Sequence, residues 1–288
     1  MKRPKIALSS FAAFDNQPYF IWLVEEFGDR YDIGFTIKTK EILKTSRTWS
    51  ARRAAKALFF DLKDIDVLIL PGYSGPGEKN KLSFEERVRV YKWLSDGGKC
   101  LAICDGVFQL VPHYPGEDKI DMKDKFFREQ HLGRGFRETV VGKADVIKIE
   151  HDNACKLLYD KDSLCIIPIA AAADESYADI LAFQNWRAIF SPLHIEIPHD
   201  WKLETMTDLQ RVQKMPGVDE YLEYYKDNYE TNLKPYANYH AQLRQVIYQD
   251  FLGLEMKNRV EITQPGIKNV LAKLEKYRPW WNKTQMQK

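Results

Sequence analysis

Apolar residues follow two kinds of pattern along the first part of the chain. Short continuous runs at residues 5–8, 33–37 and 66–70 predict strands, the last of them buried on both faces. Residues 17–27 carry apolar side chains at helical spacing, and residues 50–60 are rich in Ala, Arg and Leu, so both predict helices. Strands that alternate with helices are typical of a parallel sheet with helices packed on its faces.

The next segment contains clear signals for the start and the end of a helix. Ser83 followed by Glu86 forms a capping-box pattern, and a Gly pair at 97–98 follows the last apolar position of the predicted helix over residues 83–95. Residues 99–103 then predict a fourth strand. The pattern therefore predicts a doubly wound sheet, in which ligands bind at the carboxyl ends of the strands.

The second half of the chain changes in character. Residues 115–134 are charged and predict a surface excursion with a short helix. Further strands are predicted at residues 140–150, 163–169, 180–183 and 188–190, the last two as a hairpin around residues 184–187. Residues 201–288 are polar, Tyr-rich and helical in pattern. We predict one domain over residues 1–200 and a helical extension over 201–288 that packs on it.

Composition places the chain among globular proteins. Of 288 residues 44% are hydrophobic, and 43 basic residues against 41 acidic ones leave a net charge of +2. These values exclude a disordered polymer and give no argument for a nucleic-acid surface. No apolar run reaches the about 18 residues of a membrane helix, and the amino terminus is interpreted as a strand rather than a secretory signal. We expect a cytoplasmic protein without membrane contact.

Cysteine usage indicates reduced thiols. A chain of this length does not need disulfides for its stability, so we expect Cys100, Cys104, Cys155 and Cys165 to be free. Only Cys100 and Cys104 are close in sequence, and no second pair completes a zinc-ligand pattern. We expect no metal and no other cofactor.

Two segments carry residues suited to catalysis. The apolar run 101–103 leads directly into Cys104, and Gly106 and a helical pattern follow, which is the form of a nucleophile elbow. A second apolar run ends in His194, with Glu196 two residues later, so both side chains can share one face of an extended segment. A base oriented by a carboxylate is what a thiol nucleophile requires. A buried structural cysteine and a surface His-Glu pair are the alternatives.

Three motifs in series resemble those of class I glutamine amidotransferases. Residues 70–77, Leu-Pro-Gly-Tyr-Ser-Gly-Pro-Gly, resemble the Pro-Gly-Gly oxyanion loop of that family. Residues 102–106, Ala-Ile-Cys-Asp-Gly, resemble its Gly-x-Cys-x-Gly elbow, and residues 191–196 resemble its terminal His-Pro-Glu. Their order and approximate spacing agree, and the resemblance covers about residues 5–200.

This resemblance implies a fold and a set of roles. The fold is a flavodoxin-like, doubly wound, mostly parallel α/β sheet, here with a C-terminal helical extension. Cys104 is the implied nucleophile, His194 the general base and Glu196 the residue that orients it. The oxyanion and substrate-binding positions implied by the resemblance are Gly72, Tyr73, Asp105 and Gln109.

The chain departs from the family pattern at three positions. Tyr73 stands where a second Gly is usual, Ile195 replaces Pro, and Gln109 comes one residue later than the glutamine-binding Gln, with Phe108 in its place. The elbow also resembles the Cys-x-Gly-Ala-Phe of the DJ-1/PfpI superfamily, so a cysteine hydrolase of that branch is an alternative.

The expected function is hydrolysis of a small-molecule side-chain amide, glutamine by resemblance, through a thioester on Cys104. No phosphate-binding loop of the Gly-x4-Gly-Lys-Ser/Thr type occurs in the chain, so a synthetase that uses the ammonia is expected on a partner subunit. A second hypothesis is a noncatalytic binding or assembly protein. In that case the tyrosines of the extension form the interaction surface.

Overall fold

The computed structural model describes residues 3–9, 16–36, 58–71, 82–111, 126–129, 134–151, 155–163, 165–183, 187–213 and 218–286. The strands are β1 (Lys5–Leu8), β2 (Asp32–Thr36), β3 (Leu58–Phe60), β4 (Val67–Leu70), β5 (Lys99–Ile103), β6 (Phe126–Glu129), β7 (Gly135–Val141), β8 (Asp145–His151), β9 (Lys156–Tyr159), β10 (Ile166–Ala171), β11 (Ala178–Phe183) and β12 (Arg187–Ser191).

Helices occupy the connections in the first half and most of the described chain after residue 198. The α-helices are α1 (Asn16–Phe27), α2 (Phe84–Ser95), α3 (Asp105–Leu110), α4 (His199–Gln213), α5 (Val218–Asn228), α6 (Ala237–Gln245) and α7 (Pro265–Met286). Short π-helical turns follow α5 at Tyr229–Leu233 and α6 at Val246–Phe251, and 3-10 turns occur at Leu62–Asp64 and Lys234–Tyr236.

All the strands belong to one sheet, which has a parallel part and an antiparallel part. Strands run in the order β3-β2-β1-β4-β5-β12-β11-β10-β7-β8, and β9 pairs with both β6 and β11. The pairs from β3 to β12 are parallel, whereas every pair beyond β12 is antiparallel. The predicted α/β fold with a largely parallel central sheet is confirmed.

The helix predicted from the capping box is confirmed in its boundaries. Helix α2 begins after Ser83, whose hydroxyl accepts from the Glu86 N–H at 3.2 Å while the Glu86 carboxylate accepts from the Ser83 N–H at 2.6 Å. These two bonds satisfy amides that a helix start leaves unpaired. The helix ends at Ser95, and the Gly97 N–H donates to the Leu94 carbonyl at 3.0 Å.

Three sequence predictions were wrong. Residues 58–60, expected as the end of a helix, form β3 beside β2, while residues 50–57 lie outside the described part. The strand expected over 140–150 is instead part of the β7–β8 hairpin, because Gly142 (φ 57°) and Lys143 (φ 60°) form a tight turn between the two strands. Within the predicted surface excursion, residues 126–129 form β6.

Alternate strand residues enter two different apolar clusters. On β1, Ile6 and Leu8 belong to a cluster that also contains residues of α1, α6 and α7. Ala7 belongs to a second cluster that contains residues of α2 and α3. The central strands are therefore covered on both faces, as their continuous apolar runs require.

The helices after residue 198 bury their apolar side chains in the first of these clusters. Leu243, Ile247 and Phe251 are at most 1% exposed and lie in the same cluster as the strand residues Ile6 and Ile103. The division of the chain at residue 200 into a domain and an extension stays a prediction. Among the described helices, none combines the length and the apolar character needed to cross a bilayer.

Candidate active site

Cys104 occupies a sharp turn between β5 and α3. It follows the last residue of β5 directly, and α3 begins with the next residue, Asp105. Its backbone has φ 50° and ψ −121°, a conformation that costs on the order of 1–3 kcal/mol for a residue with a side chain. The Cys104 N–H donates to the Ser191 carbonyl at 2.8 Å, which ties the turn to the end of β12.

Gly106 permits this turn because it lies against the end of β4. A Cβ atom at residue 106 would lie 1.9 Å from the Leu70 carbonyl oxygen and 3.0 Å from that of Pro71. Both of these atoms are backbone, so no side-chain rotation relieves the contact. The residue two positions after Cys104 must therefore be glycine for α3 to start where it does.

Strand pairing brings the His194 segment to the turn. Strand β12 is parallel to β5, with Ser191 opposite Ile103, so the residues that follow both strands meet at the same edge of the sheet. The Ser191 hydroxyl donates to the Leu193 carbonyl at 2.8 Å, and the His194 N–H donates to the Glu150 carbonyl at 2.8 Å. These bonds fix the backbone that carries the imidazole.

The imidazole of His194 links the thiol and the carboxylate. Its Nδ1 lies 2.9 Å from Glu196 Oε1, and the ring also hydrogen-bonds to the Cys104 side chain. Since Nδ1 is engaged by Glu196, the nitrogen available to the thiol is Nε2. Cys104, His194 and Glu196 are 9%, 6% and 8% exposed, so the arrangement is largely shielded from water.

Charge interactions hold His194 and Glu196 in their ionised forms. Burial acts to lower the pKa of His194, but the charges of Glu196 and Cys104 outweigh it and raise that pKa well above its usual 6.5. Burial acts to raise the pKa of Glu196, yet the neighbouring His194 and, less strongly, Lys202 lower it from 4.5 to about 2. The geometry thus favours an imidazolium beside the sulfur at neutral pH.

The remaining site residues named from the sequence are placed differently. Gly72 and Tyr73 lie outside the described residues. The backbone of Asp105 opens α3, so its N–H is among those that a helix leaves without an internal partner. Gln109 is buried on α3, and among the described residues it makes no hydrogen bond to Cys104, His194 or Glu196.

A buried ion pair supports the His194 segment from behind. Glu150, at 0% exposure, accepts from Lys202 Nζ at 3.2 Å and from the Tyr221 hydroxyl at 3.1 Å. The same residue holds the His194 N–H through its backbone. Sequence reasoning missed this group, because its three side chains come from β8, α4 and α5 and no local pattern connects them.

One of two paired tyrosines contacts the Glu196 backbone. The Tyr248 hydroxyl donates to the Glu196 carbonyl at 3.3 Å and lies 2.5 Å from the Tyr19 hydroxyl. Both tyrosines are at most 1% exposed. Tyr248 is thus a contact between the helices after residue 198 and the segment that carries the carboxylate.

The described residues contain no group of three or more His, Cys, Asp or Glu side chains placed to hold a metal ion. Within the described part of the chain, no cysteine forms a disulfide. The chemistry that this site can perform with its own groups is nucleophilic attack by sulfur and proton transfer by imidazole.

Comparisons with known proteins give distant likenesses among solved structures only. No family model matches the chain, and no curated protein matches it. Among solved structures, it is similar to one described as a glutamine amidotransferase, with 16% identity, a TM-score of 0.36, and coverage of 61% of this chain and 93% of that one. Because the likeness is this distant, what the chain does has to follow from its own residues.

Proposed function

We propose that this protein is a cysteine-dependent amidohydrolase or amidotransferase that acts on a side-chain amide of the glutamine type. The observation that carries the proposal is the buried chain of contacts from Cys104 through His194 to Glu196 at a strained strand-to-helix turn. A structural cysteine does not need a positive φ, an imidazole partner and a carboxylate that orients the imidazole.

In the first step Cys104 sulfur attacks the amide carbon of the substrate. The carbonyl π electrons move to oxygen and give a tetrahedral oxyanion. His194, which carries the proton, donates it to the amide nitrogen, the C–N bond breaks, and ammonia leaves while a thioester remains on Cys104. Glu196 keeps the imidazole in the correct orientation and stabilises its charge.

In the second step water resolves the thioester. Neutral His194 takes a proton from water as the oxygen attacks the thioester carbon, and the sulfur leaves as thiolate beside the renewed imidazolium. The products are a carboxylic acid and ammonia, and no atom changes its oxidation state. The reaction therefore requires no redox cofactor.

The developing oxyanion needs donors close to the sulfur. The backbone N–H of Asp105 follows Cys104 directly and has no partner inside α3. The second donor in this proposal is the backbone N–H of Gly72 or Tyr73, which follow β4 in the sequence. The parallel pairing of β4 with β5 supports this choice, because the two strands end at the same edge of the sheet.

Ammonia has two possible fates under this proposal. An amidohydrolase releases it, whereas an amidotransferase delivers it to an acceptor activated by a synthetase on another chain. Assays of the protein alone measure the release of ammonia. A synthetase partner is part of the proposal only if ammonia is delivered to an acceptor.

The proposal is tested with a glutamine analogue that carries an electrophilic diazoketone. We expect one adduct on the Cys104 peptide and ammonia release from glutamine or a related primary amide, both abolished in Cys104→Ala. The matched control is Cys165→Ala, since Cys165 forms no disulfide, is partly exposed and is far in sequence from the turn. Labelling of Cys165 or Cys155 with Cys104 spared would overturn the proposal.

A further inference from the structure

A second cavity lies beside the helices that follow the candidate active site. It measures about 270 Å³ and is bounded by α1, the start of α4, α6 and the segment after Met256. None of the proposed catalytic side chains lines it. Sites for drug-sized ligands begin at about 300 Å³, so this cavity has room only for a smaller molecule.

One wall of the cavity carries a buried guanidinium. Arg244 on α6 is 5% exposed, and burial lowers its pKa to about 10. It makes no ion pair with a described residue, and its Nη1 has no hydrogen-bond partner among them. A buried cation that makes no ion pair is costly, because buried charges in proteins are ordinarily paired. Arg244 is therefore suited to pair with an anionic group that enters the cavity.

The buried carboxylate that lines the cavity is engaged by other groups. Glu26 also lines the cavity, but its oxygens accept from the backbone N–H groups of Lys257 and Asn258 and from the Asn258 side chain, all within 2.8 Å. Asp200 at the start of α4 lines the cavity too and acts on Arg244 through its charge, without an ion pair. The described residues of the cavity thus include one cation and two carboxylates, and three donors already engage Glu26.

A histidine that lines the same cavity supplies a hydrogen-bond acceptor. His240 is 0% exposed, and its Nε2 donates to the Lys148 carbonyl at 2.8 Å. Burial and the nearby Arg244 lower its pKa to about 4, so the ring is neutral and Nδ1 carries a lone pair. That Nδ1 has no hydrogen-bond partner among the described residues.

A second histidine lies against the first. His199 is 5% exposed, its Nδ1 lies 2.7 Å from the Tyr225 hydroxyl, and its Nε2 has no partner in the described chain. The two imidazole rings have centroids 5.0 Å apart. The apolar part of the lining comes from Trp22, Met256 and Val260.

We propose that this cavity binds a small zwitterion of the free α-amino acid class. Its carboxylate pairs with Arg244, and its ammonium donates to His240 Nδ1 and faces Asp200. The short side chain then contacts Trp22, Met256 and Val260. A zwitterion offers a carboxylate to Arg244 and an ammonium to Asp200, the lining carboxylate that Lys257 and Asn258 do not engage, whereas a simple anion would face Asp200 and a simple cation would face Arg244.

The test uses the full chain carrying Cys104→Ala, so that no ligand is turned over. Isothermal titration with the twenty common L-amino acids should give saturable binding for at least one, together with a rise in Tm. The α-carboxamide of that amino acid lacks the carboxylate and should bind at least tenfold more weakly. Blocking the amine by acetylation should have a similar effect.

Arg244→Gln should weaken binding at least tenfold, while the matched control Arg211→Gln, at a side chain 75% exposed, should leave it unchanged. Ala241→Leu fills the cavity without removing a charge. It is the variant that tests the binding site if Arg244→Gln does not fold. Three results would each overturn the proposal: no amino acid binds, binding survives both cavity variants, or inorganic phosphate competes equally well and marks a general oxyanion site.

Discussion

Three side chains form the candidate active site, and the electrostatics of the pair His194 and Glu196 determine what the thiol of Cys104 can do. Burial opposes a charge on either member, yet each charge stabilises the other by more than burial costs. Among the groups that raise the pKa of His194, Glu196 has the largest effect and Cys104 the next. Thiolate formation at Cys104 therefore depends on Glu196 through the imidazole that Glu196 orients.

Glu196→Gln tests this dependence. Without the carboxylate, burial dominates and lowers the pKa of His194, so the imidazolium is lost at neutral pH. We expect the rate of Cys104 alkylation at pH 7 to fall about tenfold or more and amide hydrolysis to fall on the order of 10²-fold or more. The matched control is Glu204→Gln, which makes the same change at an exposed carboxylate.

The pH dependence of stability follows from the same two shifts. The lowered pKa of Glu196 contributes stability that is present above 4.5 and lost as pH falls through about 2. The raised pKa of His194 contributes stability that is present below 6.5 and lost as pH rises through its folded value. Glu196→Gln should remove both effects. An unchanged profile of Tm against pH, together with unchanged alkylation, would show that the two groups are not coupled.

At this scale the sequence identifies part of the site. An apolar run that ends in Cys104 and another that ends in His194 can be read locally, because each strand and its following residues are contiguous. The pair of Glu150 with Lys202 cannot be read this way, since it joins β8 to α4 across 52 residues. Arg244 and His240 look like ordinary residues of a polar helix until tertiary contacts bury them.

Among the elements, the turn from β5 into α3 is the most tightly constrained. Two neighbouring features restrict it: Cys104 has a positive φ, and Gly106 has no room for a Cβ against the end of β4. The sequence signal for this element is strong because an apolar strand leads directly into Cys104 and the close approach to β4 requires glycine at residue 106. The β7–β8 hairpin gave a weaker signal, since Gly142 and Lys143 interrupt what otherwise reads as one strand.

Gly106→Ala tests whether the turn depends on that close approach. The added methyl group would meet the Leu70 carbonyl at 1.9 Å, so either α3 or the end of β4 must move. We expect a loss of stability of about 1–3 kcal/mol or more, as for overpacked cores, together with slower Cys104 alkylation. Urea unfolding and alkylation kinetics measure the two effects.

Gly135→Ala is the matched control for that variant. A Cβ at residue 135 would have its nearest contact with a side-chain atom, His151 Nε2, at 3.3 Å, which a small adjustment relieves. Its effect on alkylation should be negligible. If Gly106→Ala folds with wild-type stability and alkylates at the wild-type rate, the turn tolerates a side chain there and the account of Gly106 is wrong.

In the whole molecule, the helices after residue 198 contact both the core and the candidate site. They supply Lys202 and Tyr221 to the buried Glu150, and Tyr248 to the Glu196 backbone. Asp145 in the β7–β8 hairpin accepts from the Gly266 N–H at 2.6 Å and from the Tyr239 hydroxyl at 2.9 Å. Composition and helical spacing predicted helices in this region, but could not predict which residues of the sheet they would meet.

These contacts predict that residues 1–198 do not fold by themselves. Removing the helices exposes the apolar face that carries Ile6 and Ile103, and it leaves Glu150 without Lys202 and Tyr221. Loss of one partner of a buried ion pair alone costs about 3–5 kcal/mol, against a total stability of about 5–15 kcal/mol for a typical protein. We expect a fragment of residues 1–198 to show no cooperative unfolding transition by circular dichroism and no selective alkylation of Cys104.

Adding the separately produced fragment 199–288 provides the control, because the missing contacts are then restored without a covalent link. A cooperative transition and selective Cys104 alkylation should return on mixing if the two parts share one core. The opposite result is equally informative: if residues 1–198 unfold cooperatively and alkylate at Cys104 as the full chain does, the helices are an independent module. Their contacts with Glu150 and Glu196 would then contribute nothing to the site, because its geometry would form without them.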